Sequence, residues 1–247
     1  MNNYDFCVTW VKEKSNNRKI KVLDYGCGAG QIVKRFRAED IEAYGCDVFF
    51  EGGDYSKSVG DNLFENGIIR RMGKDNIIPF DDNYFDFIVN NQVFEHVENT
   101  DCVLKEISRV LKSDGVLLSI FPDKSVWREG HCGIPFLHWF PKKSKFRIFY
   151  ACIFRAIGFG YHKKNKSILK WSRDFCEWLD NWTYYRNYSE IEYYFKKYFK
   201  KINHIEHYWL KKRLNSIVSY RILLVLPIII RKLLVKKMCG LVFESNN

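Results

Sequence analysis

The chain has 247 residues, of which 47% are apolar and 17% aromatic, and 40 Lys and Arg against 29 Asp and Glu give a formal charge of +11. This composition excludes a disordered chain, and the length indicates one α/β domain rather than two. The longest apolar run, residues 222–230, is shorter than the roughly 20 residues of a membrane-spanning helix. Eight cysteines without a CxxC pair disfavour a zinc cluster, and we expect a cytoplasmic location.

The first half of the chain predicts alternating strands and helices. A helix is expected over residues 4–14, and KVLDY, residues 21–25, is typical of a buried parallel strand. A glycine turn then precedes the helix GQIVKRFRAE and the strand IEAYGCD, which ends on Asp47. FDFIV predicts another strand, and residues 102–111 an amphipathic helix that SDG ends before the strand GVLLSIFP. This order indicates a doubly wound sheet.

The pattern changes after residue 121. Residues 122–189 are rich in aromatic and basic side chains and predict an insertion. Residues 190–247 predict a strand in KKINHIEHYWL, a crossover helix over residues 215–237 and a last strand in CGLVFES. We therefore predict a single domain over residues 1–247, made of a first half (1–121), an insertion (122–189) and a C-terminal part that completes the sheet (190–247).

The segment VLDYGCGAGQ, residues 22–31, places three glycines at alternate positions directly after a predicted strand. Glycines let a ligand approach the backbone closely. Dinucleotide-binding turns have the form GxGxxG, whereas here the glycines alternate and Asp24 precedes them. A carboxylate at that place would repel a pyrophosphate but would accept a hydrogen bond from a cationic amino group. The turn therefore favours an aminoacyl nucleoside as the ligand.

Four ordered segments resemble the class I S-adenosylmethionine-dependent methyltransferases, of the type 11 kind. Residues 24–30 match the motif D-x-G-x-G-x-G, and Asp47 stands where the family has an acid after the second strand. Residues 78–97, IPFDDNYFDFIVNNQVFEHV, and residues 109–122, RVLKSDGVLLSIFP, are similar to the regions of the fourth and fifth strands. The resemblance implies an α/β, Rossmann-like, doubly wound sheet of seven mostly parallel strands, with the insertion after strand five. It also implies S-adenosyl-L-methionine as the cofactor and S-adenosyl-L-homocysteine as its product.

The same resemblance implies the cofactor-binding residues. The glycine turn would pass the methionyl group, with Asp24 at its amino group, and Asp47 would bind the ribose hydroxyls. Asn91 and Gln92 would face the sulfonium, and residues 72–76 would lie near the adenine. The full predicted set is Asp24, Gly26, Cys27, Gly28, Gly30, Gln31, Asp47, Val48, Asn76, Asn91, Gln92 and His96.

Three histidines are candidates for a general base that removes a proton from the acceptor. His96 follows the predicted fourth strand, and His131 and His138 follow the fifth, at the end of the sheet where open α/β folds bind ligands. A structural role is the alternative for each of them. His131 is favoured because a glycine and a turn flank it. Glu95 and His96 supply only two adjacent ligands, so we predict no metal site.

The acceptor is predicted from the start of the insertion. WREGHCGIPFLHWFP resembles a segment of bacterial methyltransferases of surface-polysaccharide biosynthesis. It implies that residues 122–189 bind the acceptor and that the enzyme is an O-methyltransferase for a sugar, a phosphorylated or nucleotide-linked intermediate, or a capsule substituent such as phosphoramidate. A phosphorylated acceptor would suit the cations of the insertion, for which a solvated face is the alternative. These are Lys142, Lys143, Lys145, Arg147, Lys163 and Lys164.

The C-terminal segment and the charge of the chain permit two other kinds of partner, a membrane surface and RNA. Residues 216–237 combine an apolar body with terminal cations, which favours a buried crossover helix, with peripheral contact at the inner face of an anionic membrane as the alternative. The charge also permits an RNA methyltransferase, but NNQVFEHV lacks an NPPY-like tetrad and no RNA-binding module is apparent. Nucleic acid is therefore a less favoured partner than a small molecule, and an inactive scaffold of the same fold is the third interpretation.

Overall fold

The computed structural model describes residues 1–73, 75–163, 165–214 and 225–247, apart from the side chain of Cys239. The strands are β1 (Lys21–Tyr25), β2 (Glu42–Asp47), β3 (Ile69–Arg71), β4 (Phe85–Asn91), β5 (Leu111–Phe121), β6 (Lys201–His204) and β7 (Leu241–Asn246). The helices are α1 (Asn3–Ser15), α2 (Gln31–Ala38), α3 (Asp61–Glu65), α4 (Thr100–Val110), α5 (Lys145–Ala156), α6 (Ile168–Trp182), α7 (Tyr188–Tyr198), α8 (Glu206–Arg213) and α9 (Ile228–Cys239).

The seven strands form one sheet in the order β3-β2-β1-β4-β5-β7-β6. β1 to β5 pair in parallel, and β7 runs antiparallel to both β5 and β6. The predicted doubly wound, seven-stranded and mostly parallel sheet is confirmed. The strand order reverses direction between β1 and β4, which is the place where open α/β sheets bind ligands beyond the carboxyl ends of their strands.

Helices cover both faces of the sheet. One apolar cluster packs α1 and α2 on the sheet through side chains such as Trp10, Phe36 and Phe87. The other packs α4 and α7 on the opposite face through side chains such as Leu104 and Phe195. With both faces covered, the central strands are mostly buried: four of the five residues of β1 and five of the seven residues of β4 are buried.

The segment KSDG lies inside β5, so the prediction that SDG is a loop ending the helix was wrong. α4 ends at Val110, and Leu111 pairs with Phe85 at once. The next pair is Phe87 with Val116, so four residues of β5, 112–115, lie opposite the single residue Asp86 of β4 and form a bulge. Lys112 holds this bulge to β4 through an ion pair with Asp86 at 2.8 Å.

The sixth strand is shorter than predicted. Only Lys201–His204 of KKINHIEHYWL is extended, and Glu206–Arg213 forms α8. Trp209 of α8 is buried in the cluster that contains α1, which a continuation of the edge strand would not allow. Burial of a tryptophan therefore determines the helix here, against the β-forming character of the segment.

The prediction of a buried crossover helix over residues 215–237 is wrong for its described part, residues 225–237, because most apolar side chains there are exposed. Residues 215–224 lie outside the described part of the chain, and α9 covers Ile228–Cys239. Val235 is buried, but five apolar side chains of α9 are exposed, namely Ile228, Ile229, Ile230, Leu233 and Met238. Across the described ranges, no helix has both the length and the apolar character to cross a bilayer.

Candidate active site

A cavity of about 850 Å³ lies beyond the carboxyl ends of β1, β2 and β4. The glycine turn after β1, the loop after β2 and residues 91–99 after β4 line three of its sides. The insertion supplies the remaining side through His131, Trp178, Trp182 and Tyr184. A cavity of this size is in the upper part of the range for small-molecule and cofactor sites.

The three glycines of the turn have different functions, although all have positive φ. A Cβ at Gly26 would lie 2.4 Å from a methyl group of Val93, and one at Gly30 would lie 2.5 Å from Ile69 Cδ1. A Cβ at Gly28 would meet only Tyr55 Cδ2, at 3.7 Å. Gly26 and Gly30 therefore permit close packing, whereas Gly28 exposes backbone to the cavity.

Two carboxylates stand beside this turn, Asp24, which is buried, and Asp47, which is half-buried. Asp47 accepts hydrogen bonds from the backbone N–H of Gly28 at 2.8 Å and of Phe49 at 2.7 Å. Burial raises the pKa of Asp47, and these N–H groups oppose the rise. Asp24 is only 2% exposed, lines the cavity and accepts no hydrogen bond from the described residues. Burial, and then the charge of Asp47, raise the pKa of Asp24 well above its usual value.

All predicted cofactor-binding residues except Gly30 line this cavity. Gln31 and Cys27 belong to the glycine turn, Val48 follows β2, and Asn76 follows β3. The side-chain oxygen of Asn91 accepts a hydrogen bond from the Asn3 amide at 2.8 Å.

Gln92 is the first residue beyond β4 and has a φ of 58°, and its backbone N–H donates to Ile120 at 2.7 Å. That bond to β5 holds the left-handed residue at the rim of the cavity. Gly30 instead forms the N-terminal cap of α2.

His96 and His131, which are 35 positions apart in sequence, meet at the cavity with their Nε2 atoms 3.1 Å apart. His96 Nδ1 is 2.6 Å from the carbonyl oxygen of Trp182. Because a carbonyl only accepts hydrogen bonds, this Nδ1 carries a proton. His131 Nδ1 is 2.7 Å from the carboxylate of Glu129, which only accepts when ionised. Both rings are therefore oriented so that their Nε2 atoms face each other.

Glu129 is fully buried and holds His131 in place. Its carboxylate also accepts hydrogen bonds from the Tyr185 hydroxyl at 2.7 Å and from the Cys132 backbone N–H at 2.8 Å. Burial raises the pKa of Glu129, but the hydrogen bond and charge of His131 outweigh it and bring that pKa to about 2. Burial lowers the pKa of His131, yet Glu129 raises it overall.

The neighbouring titratable groups are shifted towards their neutral forms. Burial, together with the charge of His131, lowers the pKa of His96 to about 4. Burial raises the pKa of Glu95 to about 7, against the opposing charge of His131. The site thus combines an ionised Glu129 and a neutral His96 with a Glu95 that is protonated in a substantial fraction of molecules at neutral pH.

His138 does not share this site. Its ring is 5% exposed and packs against the Tyr185 ring at a centroid distance of 4.6 Å, outside the cavity lining. Burial lowers the pKa of His138 to about 4. Its position does not support the prediction that groups it with His96 and His131 as a candidate base.

Sequence reasoning missed Glu129, Tyr185 and the position of Glu95. Glu95 was treated only as a neighbour of His96, yet it is 1% exposed and neither carboxylate oxygen has a hydrogen-bond partner among the described residues. The short spacing of Glu129 and His131 was the available signal, because a carboxylate beside a histidine can orient its ring. Tyr185 carried no local signal at all.

None of the described cations that were predicted for the insertion lines the cavity, although Lys142 lies 4.3 Å from the ring centroid of the lining residue Tyr184. Arg147 is buried and pairs with Asp180 at 2.5 Å, and Lys142 donates to the Asp180 carbonyl at 2.7 Å. Lys164 is outside the described residues. The described lining contains no Lys or Arg and four acids, namely Asp24, Asp47, Asp75 and Glu98. The cations predicted for a phosphorylated acceptor therefore do not line the described site.

Comparison with known proteins identifies the first half of the chain. A family model described as a methyltransferase domain matches residues 23–119. The uncharacterized methyltransferase YcgJ of Bacillus subtilis is 29% identical over 110 residues, 44% of this chain and 44% of YcgJ. The ubiquinone/menaquinone biosynthesis C-methyltransferase UbiE of Idiomarina loihiensis is 35% identical over 114 residues, 44% of this chain and 45% of UbiE. The chain thus matches less than half the length of these two relatives.

A solved structure shares the fold over more of the chain. It is phosphoethanolamine N-methyltransferase 2 of Haemonchus contortus in complex with S-adenosyl-L-methionine. The alignment covers 98% of this chain and 52% of the other, with a TM-score of 0.51 and 13% sequence identity. At that identity the likeness shows a common fold and nothing about the acceptor.

Two observations indicate that the residues lining the cavity fit S-adenosyl-L-methionine. A cationic amino group would give the buried, unpartnered Asp24 carboxylate the partner it lacks, and the open backbone at Gly28 leaves room for a ligand. The predicted methyltransferase resemblance and its cofactor, S-adenosyl-L-methionine, are confirmed, while the individual contact residues stay predictions. Residues 23–119 match a methyltransferase domain, and the seven-stranded sheet has the fold predicted from the resemblance to the class I S-adenosylmethionine-dependent methyltransferases.

Proposed function

We propose that the protein is an O-methyltransferase that acts on a hydroxyl of an uncharged, sugar-like small molecule. The observation that carries this proposal is the chain of groups from Glu129 through His131 to His96 at the cavity. A hydroxyl acceptor needs its proton removed, and a histidine oriented by a buried carboxylate is a common arrangement for that task. His96 and His131 alone would not explain methylation at a carbon that is less acidic than a hydroxyl group.

The residues of the chain would divide the work as follows. When bound, S-adenosyl-L-methionine would supply a methyl group that its sulfonium activates. The bond between that methyl carbon and sulfur would break as the bond between the carbon and the acceptor oxygen forms. Asp24 would hold the cationic amino group, and Asp47 the ribose hydroxyls. His131 Nε2 would accept the hydroxyl proton, while Glu129 stabilises the resulting imidazolium. The remaining contribution of the protein is to align acceptor and methyl group.

The lining of the cavity favours an uncharged acceptor with several hydroxyls. Phe50, Tyr55, Trp178 and Trp182 offer flat apolar surfaces on which the face of a sugar ring can pack. The acids and amides of the lining accept hydrogen bonds from hydroxyl groups. A phosphorylated acceptor would find no Lys or Arg on the described wall and would be repelled by its acids.

The alternative acceptors have less support. The same acidic wall disfavours RNA, whose phosphates need Lys or Arg near the reacting base. Methylation of a capsule sugar is compatible with the cavity, and it rests on the resemblance of residues 127–141 alone. An inactive scaffold would not need the oriented pair of imidazoles beside the cofactor cavity.

Calorimetry on the purified chain tests the proposal first. We expect S-adenosyl-L-homocysteine to bind with one site per chain and NAD not to bind. Transfer of a labelled methyl group would then be measured to free hexoses, UDP-hexoses and transfer RNA, with the greatest incorporation expected for hexoses. His131→Gln should lower transfer at least roughly 100-fold while keeping cofactor affinity, and the exposed His162→Gln is the matched control. Folded protein that binds no S-adenosyl-L-homocysteine would disprove the assignment.

We further propose that α9 brings the enzyme to an anionic membrane surface at the inner face of the membrane. The exposed Ile228, Ile229 and Leu233 stand on a helix that also carries Arg231 and Lys232. A cytoplasmic location accords with the described cysteines, all of which are unpaired. The protein should sediment with phosphatidylglycerol vesicles and less so after Ile229→Asp. Equal sedimentation with neutral vesicles would contradict an anionic surface.

A further inference from the structure

We propose that Glu95, His96 and His131 form a binding site for a divalent transition-metal ion, with Zn²⁺ as the best-matched ion. One donor atom from each of these side chains lies within 4.8 Å of the donor atoms of the other two. The sequence alone offered only the adjacent Glu95 and His96. The insertion supplies the third donor, His131, from across the cavity. The inference rests on the proposed function and specifies how that site lowers the pKa of the acceptor hydroxyl.

The separation of the two imidazoles suits a shared ion. Two nitrogens bound to tetrahedral Zn²⁺ at about 2.05 Å lie roughly 3.3 Å apart. The His96 and His131 Nε2 atoms are 3.1 Å apart, within about 0.2 Å of that separation. The donor atoms of Glu95, His96 and His131 lie within 4.8 Å of one another, so a Glu95 oxygen would have to move inwards by at most about 1.5 Å to reach it. Rotation of a side chain with three torsions can provide such a movement.

The groups behind the two imidazoles are those that metal-binding histidines usually have. A metal-bound histidine commonly donates its other ring N–H to a carboxylate or a backbone carbonyl. His131 Nδ1 has the Glu129 carboxylate at 2.7 Å, and His96 Nδ1 has the Trp182 carbonyl at 2.6 Å. Both Nε2 atoms are thereby held in the orientation in which a cation between them could accept their lone pairs.

Glu95 provides an independent observation. It is 1% exposed, and both of its carboxylate oxygens lack a hydrogen-bond partner among the described residues. An unpartnered buried carboxylate is costly unless it is neutral, paired or bound to a metal. With Glu129, it brings two buried carboxylates to the imidazole pair, and a divalent ion would balance their charge. A proton shared between the imidazoles, with Glu95 neutral, is the competing occupant.

The ion would act on the acceptor. His96 and His131 line the cavity, so a position on the ion would be open to a ligand from that side. Two histidines, one glutamate and an open position is a ligand set of catalytic zinc sites. A hydroxyl bound at that position would lose its proton to solvent near neutral pH, leaving an oxygen nucleophile. With the ion bound, His131 would orient the acceptor through the metal instead of accepting its proton.

Metal titration of the full chain tests this inference without an activity assay. Protein treated with EDTA and dialysed would be titrated with Zn²⁺ by calorimetry and with Co²⁺ by absorption spectroscopy. We expect one ion per chain and a Co²⁺ spectrum of nitrogen and oxygen ligands, without the charge-transfer band of a thiolate. Glu129→Gln should weaken binding about 10–100-fold. His131→Gln and Glu95→Gln should weaken it further, and His162→Gln should not weaken it.

Each outcome bears on the inference separately from the proposed function. If the wild-type chain binds no Zn²⁺ stoichiometrically, or if binding persists in His131→Gln, the metal site is disproved. A thiolate band in the wild-type Co²⁺ spectrum would also disprove it, and this result does not depend on any variant folding. S-adenosyl-L-homocysteine titrated into the same metal-free protein reports on the methyltransferase assignment alone. Cofactor binding without metal binding would leave that assignment standing.

Discussion

Replacing Gly26 or Gly28 with alanine is expected to change different properties of the protein. Both glycines have positive φ, 74° and 49°, so either alanine would be strained. A Cβ at Gly26 would lie 2.4, 2.8 and 3.2 Å from three atoms of the Val93 side chain. A Cβ at Gly28 would point into open space, with Tyr55 Cδ2 as its nearest neighbour at 3.7 Å.

The expected magnitudes follow from these distances. A left-handed conformation costs an alanine about 1–2 kcal/mol at either position. At Gly26, overpacking adds about 1–3 kcal/mol, because rotation of the stiff, β-branched Val93 cannot clear both its methyl groups and its Cβ. Gly26→Ala should therefore lower the free energy of unfolding by about 2–5 kcal/mol, and Gly28→Ala by about 1–2 kcal/mol. Only Gly28→Ala adds a methyl group inside the cavity, so it should weaken S-adenosyl-L-homocysteine binding at least about 10-fold, or about 1.4 kcal/mol.

Urea unfolding followed by tryptophan fluorescence would measure the first effect, and calorimetry the second. Gly130→Ala is the control for stability, because a Cβ there meets no atom within 4 Å. It should stay within about 0.5 kcal/mol of the wild-type unfolding free energy. Gly28→Ala protein that binds S-adenosyl-L-homocysteine like the wild type would refute the inference that the cofactor passes Gly28. Equal stability of the Gly26 and Gly28 variants would refute the packing argument.

Four further outcomes are expected. Asp24→Asn should weaken S-adenosyl-L-homocysteine binding about 10–100-fold without lowering the thermal midpoint, since it removes an unpartnered buried carboxylate. Burial raises the pKa of Asp24, and a bound cation favours the ionised form of its carboxyl group. The affinity of the wild type for S-adenosyl-L-homocysteine should therefore fall as the pH falls through that pKa. Calorimetry in buffers of different ionisation enthalpy should detect the proton that Asp24 releases on binding. Arg147→Met should cost about 3–5 kcal/mol of stability, because the Asp180 carboxylate loses its cation and keeps the Lys143 backbone N–H. Asp180→Asn as a second change should restore part of that stability, with cofactor affinity unchanged. Weaker cofactor binding in Arg147→Met would place Arg147 at the site. His138→Gln should keep methyl transfer within about 3-fold of wild type, in contrast to His131→Gln, and a loss like that of His131→Gln would restore His138 as a candidate base.

The first half of the fold could be predicted because its signals are local. Apolar runs bounded by a glycine turn and by polar loops define β1, β2 and β4, and Asp24 and Asp47 follow from their places at strand ends. The prediction of a loop at KSDG was wrong, because Ser, Asp and Gly are typical of turns. The pairing of Leu111 with Phe85 draws them into β5 as a bulge, a long-range effect that local sequence does not show.

The fold of the second half of the chain, and the side of the cavity that the insertion lines, depend on packing between distant segments. Nothing local indicates that His96 and His131 meet, or that Tyr185 reaches Glu129 across 56 positions. The exposure of the apolar side chains of α9 could not be read from the sequence either. Periodicity alone does not separate a helix packed on the sheet from one that presents the same apolar residues to solvent or to a membrane.

The C-terminal end of α6 is fastened to the cofactor side of the molecule at several points. Trp178 donates from its indole nitrogen to the Gly52 carbonyl at 3.0 Å, and the Trp182 carbonyl holds His96. Gly52 has no room for a side chain because a Cβ there would lie 2.6 Å from the Trp182 ring. The segment that we propose to bind the acceptor thus also contacts the loops after β2 and β4, which line the cofactor side of the cavity. If α6 binds the acceptor, acceptor preference and cofactor affinity are not independent traits for selection or for an engineer, and a change of substrate made in α6 should carry a change in cofactor affinity with it.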